Sequence, residues 1–191
     1  TLTASGASDL IIKDCNFLYP SCYAHMLNQI NAGTTIVPTS NEVFEKQTYI
    51  QSSPNCKITG CSFRYTDGSV LEISGGNTIL EDNYFNYIDK TVANLSSVMT
   101  TLRINGSNNI VRRNTIHKTG ASSTINPGNN SIVEYNNLWN SGYLQSDGAM
   151  IHCMVNQQPG VKVRFNWVHD TIKYGIRFDG DGEVSSHDKT E

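Results

Sequence analysis

Charge is scarce in this chain. Of its 191 residues only 16% are Asp, Glu, Lys or Arg, against roughly 25% in an average soluble domain. The 14 Lys and Arg nearly balance the 17 Asp and Glu. With no basic stripe, that balance argues against a nucleic-acid partner. Hydrophobic residues are also sparse, at 38%, and no run approaches the roughly 18 apolar residues of a membrane span. The Leu, Ala, Glu and Lys that build helical bundles are thin, which excludes that class. Disorder is excluded too: prolines number only five, and nine Tyr, six Phe and two Trp can seed a core. Five cysteines leave at least one thiol unpaired within the chain, and no Cys/His spacing matches a zinc site. Asn, Ser, Thr and 15 glycines fill the deficit. The length is that of one domain.

Internal repeats explain that excess. Segments starting at Leu10, Cys56, Thr78, Asn109, Ser131 and Val161 share one form. One apolar column reads Ile12, Ile58, Leu80, Val111, Val133, Val163, and a second reads Phe17, Phe63, Phe85, Ile116, Leu138, Val168. Between them runs Cys15, Cys61, Asn83, Asn114, Asn136, Asn166. From Cys61 onward the spacing is 22, 31, 22 and 30 residues. Helical repeat arrays hold near 33–34 residues, and Leu is not the recurring residue as in leucine-rich repeats. The alternation has the period of two of a strand. These features predict an all-β, right-handed parallel β-helix of about seven coils. Its inward Asn column forms a ladder in which each amide satisfies its neighbour. The longer Cys15–Cys61 interval leaves two coils or one insertion open.

A second strand follows each anchor, as in Leu71-Glu-Ile-Ser-Gly75, Leu102-Arg-Ile-Asn-Gly106 and Ile176-Arg-Phe-Asp-Gly180. Its outward column is expected to read Glu72, Arg103, Thr124, a residue near Met150 or His152, then Arg177. Insertions are expected at about 23–53 and 86–100, where they wall one side of the solenoid. Tyr19, Tyr23, Tyr49, Tyr65, Tyr84, Tyr87 and Tyr143 are candidate stacking surfaces for sugar rings. Cys15 and Cys22, and Cys56 and Cys61, are near enough in sequence to pair, although an inward Cys61 argues against the second bridge. No capping segment precedes Leu10. The chain is therefore expected to be part of a larger β-helix protein, or to have its ends covered by further coils or another chain.

Asp147-Gly-Ala149, Asn166-Trp-Val-His169-Asp170 and Tyr174-Gly-Ile-Arg-Phe-Asp-Gly180 make the sequence resemble the pectate-lyase-like, right-handed β-helix superfamily. Secreted bacterial members with parallel β-helix repeats are the nearest likeness. The resemblance implies a secreted or cell-surface, carbohydrate-active protein that binds an extended polysaccharide in a groove on an exterior sheet. Asp147 and Asp179 lie 32 residues apart, about one coil. By resemblance to β-helix hydrolases they form a catalytic carboxylate pair, one acid and one base or nucleophile. His169 and Asp170 join them as catalytic candidates. Arg103, Arg177, His152, Lys173, Tyr174 and Glu72 are candidate substrate-binding residues. The alternative chemistry is β-elimination on a uronic-acid polymer, with Arg103, Arg177, Lys173, Tyr174 and His152 or His169 supplying cation, base and acid. A third reading is a non-catalytic adhesin, tailspike segment or carbohydrate-binding module. Each Asp-Gly pair also fits a simple turn. No cofactor or resident metal is expected. Asp179-Gly-Asp181-Gly-Glu183 is acidic enough for Ca²⁺ yet lacks the spacing of an EF-hand loop.

Overall fold

The computed structural model describes residues 2–20, 22–24, 44–46, 48–90, 100–145, 147–154 and 158–179. Nineteen short strands form three parallel sheets. Sheet A contains Thr3–Ser5, Thr48–Gln51, Leu71–Ser74, Thr100–Asn105, Ser123–Asn126, Ala149–Cys153 and Tyr174–Phe178. Sheet B contains Ile11–Lys13, Lys57–Thr59, Ile79–Glu81, Ile110–Arg112, Ile132–Glu134 and Lys162–Arg164. Sheet C contains Asn16–Leu18, Ser62–Arg64, Tyr84–Ile88, Thr115–Thr119, Asn137–Ser141 and Trp167–His169. The chain visits B, C and A in turn, so six complete coils follow one initial A strand. This is a parallel β-helix.

Ile12 pairs directly with Ile58, so the Cys15–Cys61 interval is one coil carrying an insertion. A two-stranded antiparallel pair, Cys22–Ala24 with Phe44–Lys46, lies within it. Thr48–Gln51 and Tyr84–Ile88 belong to the sheets, so both insertions are shorter than the sequence suggests.

The apolar columns are the core. Ile58, Leu80, Val111, Val133, Phe85, Ile116 and Leu138 are fully buried. Each such side chain contributes about 1.5–3 kcal/mol. Phe17, Phe63 and Phe85 stack one per coil, with centroids 4.7 and 5.0 Å apart. At the last coil Ile176 and Phe178 remain 46% and 40% exposed, because no described coil stacks on them.

The Asn column is a ladder. Asn114 Oδ1 accepts from the backbone N–H and the Nδ2 of Asn83. Asn114 Nδ2 donates to Leu80 O and to Asn136 Oδ1. The pattern repeats at Asn136 and Asn166, and Asn83 Oδ1 caps the Cys61 N–H. Every amide finds partners without water, which is what burial of an Asn requires.

Left-handed residues turn the backbone at the corners. The B-to-C corner uses Asp14, Gly60, Asp82, Arg113, Tyr135 and Phe165, all at positive φ. The C-to-A corner uses Tyr19, Tyr65, Tyr87, Lys118, Asn140 and Asp170. Asn and Asp suit that conformation and the bulky residues do not. Where the A strand turns back toward B, a Cβ on Gly106 (φ +97°) would run into the Gly75 carbonyl.

Candidate active site

The outward row of sheet A is fixed by register. Glu72 pairs with Arg103, Arg103 with Asn126, and His152 with Arg177. Asn126, not Thr124, therefore follows Arg103. The strand's register is offset by two residues from the one read in the sequence, and Thr124 is buried beside Thr119.

At the last two coils this row gathers a charged cluster. Asp147 lies at the entry of strand Ala149–Cys153, and Asp179 follows strand Tyr174–Phe178. Arg177 stands between them. Its Nη1 donates to Asp147 Oδ1 at 2.6 Å and its Nε to Asp179 Oδ1 at 2.5 Å. The two carboxylates, from adjacent coils, thus converge on one guanidinium. Arg177 and the Gly148 N–H hold Asp147 below its usual pKa. The two aspartates in turn push Arg177 further up.

Behind Asp179 lies His152, with 2% of its side chain exposed. Its Nε2 is 2.8 Å from Asp179 Oδ2 and its Nδ1 is 2.7 Å from Ser123 Oγ. This is a Ser–His–Asp chain, but Ser123 is fully buried and presents no oxygen to a substrate. Its effect is to fix the imidazole plane. Lys173 closes the other side. Nζ donates to Asp147 O at 2.6 Å and to Ser122 O at 3.3 Å. Burial lowers the amine to about 8, partly opposed by Asp147. Gly148 (φ +95°) lets the Asp147 loop lie against Ser122, whose carbonyl a Cβ would strike.

Asp147, Asp179, His152, Lys173 and Arg177 are thus brought together, and the ring of Tyr174 lies 5.9 Å from the Arg177 guanidinium. Glu72 and Arg103 are not brought in; they face each other at 3.9 Å on earlier coils. His169 and Asp170 belong to sheet C and its corner. His169 Nδ1 meets Asp170 at 2.8 Å and Nε2 meets Asn137 at 3.1 Å, while its ring stacks on Trp139 and Trp167. That separation corrects their grouping with the carboxylate pair: a coil carries residues ten apart to different faces.

Two features escaped the sequence. Ser123 carries no signal beyond its distance of about one coil from His152. The aromatic exterior of sheet C, with His117 stacked 4.2 Å from Trp139, is signalled only by the ring one position past Ile116, Leu138 and Val168.

Cys15, Cys56, Cys61 and Cys153 are free thiols, so the Cys56–Cys61 bridge does not form; the Cys22 side chain lies outside the described residues. Among the described residues no three His, Cys, Asp or Glu gather to hold a metal ion. Asp181 and Glu183 lie outside them. No described helix is long and apolar enough to cross a membrane.

The family model described as right handed beta helix region matches residues 47–190. The chain belongs to that family. No curated protein and no solved structure matches it. For this β-helix protein the family membership carries the architecture and not an activity, since one fold hosts many functions.

Proposed function

We propose that this β-helix protein hydrolyses a polysaccharide laid along the exterior of sheet A. The observation that carries the reading is the convergence of Asp147 and Asp179, from adjacent coils, on one guanidinium. Asp147, 58% exposed and held ionised, is suited to activate water or to attack the sugar. Asp179 shares its outer oxygen with Arg177 and the other with the buried His152. Asp179, its inner oxygen held by His152 Nε2, is assigned the role of proton donor to the departing glycosidic oxygen. Arg177 and Lys173 supply positive charge beside the reacting ring. The ligand would be an extended glycan, and the protein a secreted or cell-surface one, as its resemblance implies.

Lys173 favours a second reading. An amine lowered to about 8 beside a fixed guanidinium has the makings of a base for β-elimination on a uronate polymer. Product analysis separates the two on a panel of plant and marine polysaccharides. Hydrolysis yields reducing ends without ultraviolet absorbance, whereas elimination yields an absorbing unsaturated uronate. A folded wild-type protein that turns over nothing on the panel, yet binds a glycan, would replace both with a binding module.

A further inference from the structure

A second site lies where sheet C turns into sheet A, one corner away from the charged cluster. A cavity of about 420 Å³ opens there, walled by Tyr87, Lys90, Lys118, Asn140, Tyr143 and Leu144. That is at the small end of the roughly 300–1,000 Å³ of small-ligand sites. Its aromatic walls are open, with Tyr87 40% and Tyr143 53% exposed.

Its charges are placed unusually. Lys118 Nζ sits 4.5 Å from the Tyr87 ring centroid and donates to its hydroxyl at 3.0 Å. Lys90 Nζ rests 5.8 Å from the Tyr65 ring. The Tyr65 and Tyr87 rings stack, 5.6 Å apart. Among the described residues neither ammonium pairs with a carboxylate. Asp89, on the floor, is fully buried and accepts from Thr101. Several arginines elsewhere meet acids directly: Arg112 and Arg113 on Glu81, Arg164 on Glu134, Arg177 on two aspartates. Among the described residues this corner sets two ammoniums beside aromatic rings without a carboxylate partner. Tyr87 and Lys118 also occupy left-handed backbone at φ 54° and 57°, a conformation strained for a bulky residue. The equivalent positions on later coils use Asn140 and Asp170, which adopt it readily.

We infer that this corner pocket binds an anionic sugar residue, its ring stacked on the exposed Tyr143 and its carboxylate or sulfate held by Lys118 and Lys90. The electron-rich tyrosine face suits the C–H face of a pyranose, and the two ammoniums supply the complementary charge. The Asn140 amide adds a hydrogen-bonding group. The inference shares with the proposed function only that the ligand is a glycan.

Calorimetric titration of the full chain tests it, with trigalacturonate, its methyl ester and a sulfated galactan trisaccharide as probes. At least one anionic trimer should bind ten-fold or more tightly than the neutral ester, and weaken as salt rises. Lys118→Asn removes the charge while suiting the left-handed backbone, so it should fold normally and lose that preference. Lys90→Gln should weaken binding three-fold or more. Asp179→Asn should leave binding unchanged while abolishing turnover, which separates failure here from failure of the hydrolase reading. Equal binding of ester and acids, binding of neither acid, or full affinity in Lys118→Asn would overturn the inference. So would a loss of binding in Asp179→Asn but not in Lys118→Asn, which would put the glycan at the charged cluster.

Discussion

Sheets A and B each carry an arginine–carboxylate network on the outside, and the two are built in opposite ways. On sheet B one acid collects several cations. Glu81, with 6% of its side chain exposed, receives Lys57 at 2.7 Å, Arg112 at 2.7 Å and Arg113 at 2.9 Å. Those partners hold its carboxyl at about 2, against an ordinary 4.5. On sheet A one cation is divided between two acids, and both are more open: Asp147 at 58% and Asp179 at 31%. An acid with surplus cations has nothing left to offer a substrate. Two acids sharing one cation leave the more open of them, Asp147, with carboxylate surface toward solvent. The lesson is that the ratio and exposure of opposite charges, rather than their number, separate a structural network from a reactive one.

The largest expected effect breaks sheet A alone. Asp147→Asn should lower glycan turnover roughly 10³-fold, about 4 kcal/mol of barrier, with the melting temperature unmoved. Steady-state rates beside a thermal melt check it. A lesion between the faces should not discriminate. Asn114→Ala strips the buried Asn83 backbone N–H of its acceptor and the Leu80 carbonyl of its side-chain donor. It should cost about 3 kcal/mol by denaturant titration and depress activity only as the folded fraction falls. Glu81→Gln is the converse of the first test. Removing a nearly buried acid from its cations should cost about 2 kcal/mol, discounted because those cations are themselves a third or more exposed. Turnover by the folded fraction should be unchanged.

The smallest effect is one of pH. Because the folded carboxyl of Glu81 lies below its unfolded value, its contribution is complete above pH 4.5 and disappears as pH falls through about 2. Stability measured across that window should fall more steeply in the wild type than in Glu81→Gln. Parallel curves would place the acid sensitivity elsewhere.

Much of sheet B was legible from sequence because stacking is the repeat itself. Aligning the segments puts Glu81, Arg112, Glu134 and Arg164 in one column, and register pairs them in that order. The Asn ladder and the two apolar columns were readable for the same reason. Sheet A was harder. Its strands follow corners of unequal length, so Asn126 displaced Thr124 from the outward row. Asp147 and Asp179 were visible as carboxylates one coil apart, but their shared arginine was not. That contact depends on Asp147 entering one end of a strand and Asp179 leaving the opposite end of the next. Ser123 behind His152 was invisible, since serine is common in strands and only coil geometry aims its hydroxyl. His169 and Asp170 were misgrouped because nearness in sequence says little about which of three faces a residue occupies.

The most direct measurement pairs turnover and thermal melting in Asp179→Asn, on whichever polysaccharide the wild type cleaves. If Asp179 works on the substrate with His152, turnover is lost by roughly 10²-fold or more while the melting temperature stays within a few degrees of the wild type. Full activity in the variant, or a loss of activity that only tracks a loss of folding, would show that this carboxylate serves its own turn and that sheet A is as structural as sheet B.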